Sequence, residues 1–309
     1  VFNCILKIKW INIINNKEII IKIKIWGARG GLPASGKTFL DAGGATSCIE
    51  IQHEDRSLIF DAGSGIANLG LDLINNHNIT KIDIFIGHYH YDHIIGLPFF
   101  LPLFDKKKKI VLHLPNLDGR KGIEALKTLI SPPLFPINLE DISNNISINA
   151  FTPNDKIKIN DNIFAESILL DHPGGNTGYK LSINKSKISY ISDVENLNII
   201  NFNKLIEFIR HSNICFIDSS YNPVEILNKR GWGHLSTEDV KIIAKSLSDT
   251  DIILYHHDTL KSDQCIINDS KNLLKDFKNI KIGNEGFEFF LWCWQSKNTI
   301  KKRCTNFIS

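Results

Sequence analysis

Short apolar runs alternate with polar turns along the chain, and their spacing separates strands from helices. Residues 19–25 (IIIKIKI) predict a buried strand. Residues 47–52 and 57–61 predict two more, joined by a polar turn at 53–56. The second ends in FDAGSG, a Gly-rich turn, after which residues 65–77 carry the apolar spacing of a helix. Residues 82–87 (IDIFIG) predict a strand that runs directly into HYHYDH. A strand followed by a helix is expected within 109–130. Residues 131–145 hold three prolines and predict a loop. Short strands with turns follow from 146 to 192. Beyond them the pattern predicts helices over 202–210, 236–248 and 263–276, and strands over 213–218, 251–256 and 286–292. Hairpin-type and strand–helix segments occur in both halves, with no internal repeat. That mixture predicts an α/β fold, an αββα sandwich of two mixed β-sheets with helices on the outer faces.

Length and composition narrow the picture only a little. The 309 residues, 43% of them hydrophobic, suffice for one large α/β domain, placed here at 21–291. Residues 1–20 form an N-terminal extension and 292–309 a tail with no clear period. The net charge of +3 leaves an anionic substrate open, and the one basic run, Lys106 to Lys109, reads best as a solvated turn. Nucleic acid is therefore expected at most as a substrate. Six cysteines at 4, 48, 215, 265, 293 and 304 form no C-x-x-C pair, which suits a reducing, cytoplasmic setting. No stretch approaches 18 uninterrupted apolar residues, so no spanning helix is expected, and residues 1–25 lack a signal peptide's apolar core. A homodimer is compatible with the sequence.

Histidine placement carries the chemistry. His88, His90, Asp92 and His93 follow a buried strand, where open α/β sheets commonly bind ligands. Imidazoles and carboxylates suit Zn²⁺ and other borderline divalent ions. His88 and His90, two apart on an extended segment, can point the same way and grip one ion. Asp92 and His93 on the following turn can reach a second. The bland alternative, accidental histidines on a surface loop, gives no packing reason for four such residues after a buried strand. Three weaker signals repeat the arrangement. His172 ends a strand before a Gly-rich turn, Asp193 ends the apolar run ISYIS, and His256 and His257 end IILY. Taken singly, His172 reads more readily as a turn residue and Asp193 equally well as a helix cap.

In this order, HYHYDH, DHPGG, SD, GHLS and YHHD resemble the metallo-β-lactamase superfamily, in the branch that contains tRNase Z and small phosphodiesterases. WGARGGLPASG, GGATSC, FDAGSGI, GLPFFLPL and SPPLFP resemble a bacterial subfamily of that branch, and the likeness covers about residues 21–291. The resemblance implies two divalent metal ions, Zn²⁺ first, with Mn²⁺ or Fe²⁺ as alternatives. His88, His90 and His172 would hold one ion, and Asp92, His93 and His256 the other. Asp193 would bridge them, with a hydroxide between. Asp92 and His234 are the implied catalytic residues, His234 as proton donor to the leaving group. Asp61 would support the metal loop from beneath. His257 matches no ligand position and is expected as a support beside the ligands.

Residues 31–38 (GLPASGKT) match the P-loop pattern literally. A P-loop opens a helix at its Lys-Thr end. Here Gly43, Gly44 and a strand follow at once, so a loop at the rim of the site is expected instead. The leading functional reading is hydrolysis of a small phosphodiester, a cyclic nucleotide included. The alternatives are tRNA 3′-end processing and a metal-binding accessory protein without turnover. The resemblance places a tRNA-gripping insertion of tRNase Z between the residues matching His172 and Asp193, where this chain has only twenty residues.

Overall fold

The computed structural model describes residues 19–142, 145–195 and 198–293. The chain opens with β1 (Ile19–Gly27), β2 (Arg29–Gly30), β3 (Cys48–His53) and β4 (Arg56–Phe60). Then come α1 (Gly65–Asn75), β5 (Lys81–Phe85), α2 (Tyr91–Ile94), β6 (Lys109–Pro115), α3 (Gly122–Leu129) and β7 (Ile146–Phe151). The second half holds β8 (Lys156–Lys158), β9 (Ile163–Leu170), β10 (Asn176–Ile183), β11 (Ser186–Ile191), α4 (Ile199–Ile209) and β12 (Ile214–Asp218). It closes with α5 (Thr237–Lys245), β13 (Asp251–Tyr255), β14 (His257–Asp258), α6 (Asp263–Asp276), β15 (Ile280–Ile282) and β16 (Glu288–Cys293).

Two seven-stranded sheets result, in the orders β16-β1-β3-β4-β5-β6-β7 and β15-β13-β12-β11-β10-β9-β8. Each is antiparallel on one side and parallel on the other: β4 to β7 run parallel in the first, and β11, β12, β13 and β15 in the second. The alternation in β1 shows why the sheets stack. Ile21, Ile23 and Ile25 are fully buried in the layer between the sheets, while Lys22 pairs with Glu288 at 2.8 Å on the other face. Phe60, Phe85, Tyr179, Tyr190, Phe216 and Tyr255 fill the same layer, each buried ring contributing on the order of 2 kcal/mol or more. A second apolar cluster lies under α1 and α3, and a third under α4, α5 and α6. The αββα sandwich predicted from the pattern is the architecture observed.

Element boundaries differ from the sequence reading where side chains set them. α4 starts at Ile199 rather than 202, because the Asn198 side chain accepts from the backbone N–H groups of Ile200 and Asn201, both at 3.0 Å. Within 131–145 a short 3₁₀ turn occupies Leu139–Asp141. The β2–β14 pair, two residues on each strand, went unpredicted because so short a ladder leaves no pattern. β1 and β16 run slightly past the expected domain limits of 21 and 291. Apart from those strand ends, the expected N-terminal extension and C-terminal tail lie outside the described residues. Among the described residues no helix is long and apolar enough to cross a membrane.

Candidate metal centre

The C-terminal ends of β4, β5, β11, β12 and β13 meet at one rim of the sandwich, together with the end of β9. The loop after β5 carries His88 and His90, and the first turn of α2 carries Asp92 and His93. His172 follows β9, Asp193 follows β11, and His256 follows β13. Three of the rim residues leave their strands in the left-handed region: Asp61 at φ 59°, Asp193 at 51° and His256 at 58°. Asp and His are among the few side chains that tolerate it. Such local strain concentrates at functional sites.

Two groups of ligand-type atoms converge there, each within 4.8 Å of one another: His88, His90 and His172 in one, Asp92, His93, Asp193 and His256 in the other. Asp193 lies between them. Its Oδ2 is 3.4 Å from His93 Nε2, 3.7 Å from His88 Nε2 and 4.0 Å from His172 Nε2, and its Oδ1 is 3.2 Å from His256 Nε2. His256 Nε2 is also 3.0 Å from Asp92 Oδ2. All these residues are buried except His90, which is exposed.

Three of the rings, His93, His172 and His256, are aimed from behind. His93 Nδ1 donates to Asp61 Oδ2 at 2.6 Å, and Asp61 also accepts from Gly87 N–H at 2.7 Å and Tyr190 Oη at 2.5 Å. His172 Nδ1 donates to the Gly233 carbonyl at 3.0 Å, and His256 Nδ1 meets Ser220 Oγ at 3.2 Å. These bonds leave the three Nε2 atoms facing the cluster. Glycine is required where backbone passes the rings. A Cβ on Gly30 would lie 2.0 Å from His256 Cε1, and one on Gly233 1.9 Å from His172 Nδ1.

Electrostatics and hydrogen bonding fit a cation. Both ring nitrogens of His88 are buried without a hydrogen-bond partner, a costly state, and a metal ion would engage Nε2, the nitrogen 3.7 Å from Asp193 Oδ2. Burial disfavours the charged forms of Asp92 and Asp193, yet the surrounding imidazoles outweigh it and hold both carboxyls well below the usual range. Burial likewise opposes charge on His93, and the carboxylates of Asp92, Asp193 and Asp61 reverse it, holding that pKa well above the usual value. Burial pushes His88, His90 and His172 down. The cluster thus sets two ionised carboxylates among imidazoles, a donor set that suits divalent cations.

His234 stands at the edge of this cluster. Its Nδ1 is 2.9 Å from Asp218 Oδ2 and 3.9 Å from Asp193 Oδ2. Burial lowers its pKa, but Asp218 more than offsets this, and the value is pushed up to about 9. Asp218 is fully buried and is also held by Ser220 Oγ at 2.6 Å. Asp218, His234 and His256 form a third set of ligand atoms within 4.8 Å of one another. Asp218 went unpredicted although it ends an apolar strand just as Asp193 does; that was the available signal. Glu195 also went unpredicted. Its carboxylate accepts from Gly231 N–H at 2.7 Å and Gly233 N–H at 2.7 Å, pinning the turn that leads to His234. Four residues past the end of β11, it carries no sequence mark. His257, expected beside the ligands, hydrogen-bonds the Gly283 carbonyl at 2.9 Å and none of the cluster. The P-loop-like segment forms a three-residue 3₁₀ turn at Lys37–Phe39 and no α-helix, and Gly31 N–H donates to Asp92 Oδ2 at 2.8 Å.

Buried imidazoles and carboxylates gathered at one end of an αββα sandwich are the architecture and donor set of the metallo-β-lactamase fold. Residues 56–257 match the family model of the beta-lactamase superfamily domain, and the chain belongs to that superfamily. Solved structures share the architecture. The metallo-β-lactamase fold protein YhfI of Bacillus subtilis aligns with a TM-score of 0.65 at 18% identity, over 88% of this chain and 99% of that one. Yeast PDE1 aligns with 0.65 at 16%, over 88% and 100%. A diphosphatase of the PhnP family aligns with 0.65 at 15%, over 89% and 98%. Among curated proteins, the ribonuclease Z of Haloarcula marismortui is 29% identical over 130 residues, 40% of this chain and 38% of that protein. The ribonuclease Z of Clostridium perfringens is 24% identical over 178 residues, 54% of this chain and 53% of that protein. The chain therefore spans about half or less of the length of these curated relatives.

Proposed function

We propose that this chain hydrolyses a small phosphodiester, cyclic nucleotides included, with two divalent ions. His88, His90 and His172 hold one, Asp92, His93 and His256 the other, and Asp193 lies between. Zn²⁺ suits the imidazole-rich donor set best, with Mn²⁺ or Fe²⁺ as alternatives. Bound there, the ions lower the pKa of a water and neutralise charge on the phosphoryl oxygens. The chain's own residues do the rest. Asp61 fixes the His93 tautomer, and Asp218 holds His234 by Nδ1, leaving Nε2 to give its proton to the leaving oxygen.

The His234–Asp218 pair is the observation that carries this reading, because a poor alkoxide leaving group needs a proton and an aryl oxide does not. The test is His234→Ala on two substrates. Both ions should stay bound. The rate on an alkyl or ribosyl phosphodiester should fall by about 10²–10⁴-fold, and that on bis(p-nitrophenyl) phosphate far less. Equal losses would reject the proton-donor role. Loss of an ion would make His234 a ligand through the set it forms with Asp218 and His256.

The ribonuclease Z relatives favour precursor tRNA as the second reading. Against it, β10 and β11 form a plain hairpin between His172 and Asp193, with no inserted arm.

A further inference from the structure

A cavity of about 400 Å³ opens beside the metal cluster, with His88 and His90 in its wall. That volume is within the range of small-ligand sites. Arg120 and Lys121 line the same cavity. Pro173, Gly174 and Gly175, just past His172, line it as well. The mount of the two cations is rigid. Leu117 and Arg120 exchange both backbone hydrogen bonds, at 3.1 and 2.8 Å, around Asp118 (φ 49°) and Gly119 (φ 71°). That is the Asp-Gly turn with both central residues left-handed, among the tightest two-residue connections. Leu117 is buried, with Gly175 packed against it, and Asn116 Oδ1 accepts from Gly122 N–H at 3.3 Å.

Neither Arg120 nor Lys121 has a side-chain hydrogen bond or ion pair among the described residues, whereas lysines 22, 81, 127, 158, 229 and 261 are each paired with a carboxylate. Two unspent cations therefore face a small cavity that reaches the metal ligands. One carboxylate, Glu124, borders it as well, so the cations keep the excess. α3 begins at Gly122, directly after Lys121, so its N-terminal partial positive charge lies beside the two cations.

We infer that this cavity receives a terminal phosphate of the substrate, so that the diester cleaved at the metal cluster carries a second, monoester phosphate. The inference rests on the phosphodiesterase reading above. A monoester phosphate carries between one and two negative charges near neutral pH, which two cations match better than a singly charged backbone diester does. The Arg120 fork can take two of its oxygens at once, and Lys121 adds a point charge.

The test compares ligands that differ only in that phosphate. Calorimetry on the Zn²⁺-loaded protein would measure thymidine 3′,5′-bisphosphate against thymidine 3′-phosphate. The bisphosphate should bind roughly 10–100-fold tighter, and added salt should narrow the gap. Arg120→Ala/Lys121→Ala should close it, with zinc content and thermal midpoint as controls of folding. Turnover gives the second arm, with the p-nitrophenyl ester of thymidine 3′-phosphate bearing or lacking a 5′-phosphate. A preference in kcat/KM for the phosphorylated ester that vanishes in the double variant supports the subsite. Equal binding of the two thymidine phosphates by the wild type overturns it, as does a gap that survives in the double variant. A binding gap without hydrolysis of either ester would uphold the subsite and defeat the phosphodiesterase reading. Hydrolysis of both esters without a gap would do the reverse.

Discussion

Asp61→Asn separates support of the metal centre from support of the fold. Asp61 is fully buried and accepts from three donors: Gly87 N–H, His93 Nδ1 and Tyr190 Oη. Alanine would orphan all three at about 1–3 kcal/mol each, enough to consume most of a typical stability of about 5–15 kcal/mol. Asparagine keeps the shape and tolerates φ 59°. Its oxygen can still serve Gly87, while its amide can no longer accept from His93 Nδ1. The imidazole then keeps its proton on Nε2, the atom 3.1 Å from Asp92 Oδ2 and 3.4 Å from Asp193 Oδ2. A protonated Nε2 offers no lone pair to a cation. Loss of such an orienting partner weakens metal binding by about 10–100-fold. Zn²⁺ affinity measured against a competing chromophoric chelator should fall by that factor. Urea melts of the chelator-treated variant should show a loss of about 1–3 kcal/mol. Unchanged affinity would refute the claim that Asp61 sets the tautomer of His93, whatever happens to stability.

Elemental analysis of the Zn²⁺-reconstituted protein should find about two ions per chain, and Asp193→Ala should lose at least one together with most of the activity; a variant with both ions and a normal rate would reduce Asp193 to a strand-end residue. A precursor tRNA with a 3′ trailer should be cut far more slowly than a small phosphodiester, and efficient trailer removal would reverse the order of the two functional readings. Burial lowers the pKa of His257 from 6.5 to about 4, so the fold favours its neutral form. Its stabilising contribution is full above pH 6.5 and is lost as pH falls toward 4, about 3 kcal/mol in all. In chemical melts between those pH values, His257→Gln should flatten the acid limb; an unchanged limb would assign it to other groups.

Long periodic elements were legible in the sequence because their burial is one-sided or complete over many residues. β1 shows this in its Ile–Lys alternation, and α6 was predicted over its full length, 263–276. The HYHYDH ligands were legible because they follow an apolar run at the end of a parallel strand, whereas His172, Asp193 and His256 were weak signals singly and their division into two groups came from the family resemblance. What the sequence hid depends on contacts between strands far apart in the chain. Tyr190 reaches Asp61 across 129 positions, and Asp218 meets His234 only because β12 lies between β11 and β13. Glu195 matters through two backbone N–H groups, which no residue pattern announces.

Both ligand groups draw on both sheets: His88 and His90 with His172 in one, Asp92 and His93 with Asp193 and His256 in the other. Neither half of the chain can assemble either group alone. Metal capture should therefore be a late event in folding, following closure of the sandwich and tracking its long-range contacts. The unfolded chain offers a cation only the local HYHYDH segment, a far poorer chelator than the assembled rim. Almost all of the binding free energy is then available to hold the two sheets together, so the ions would act as a clasp between the layers as well as reagents.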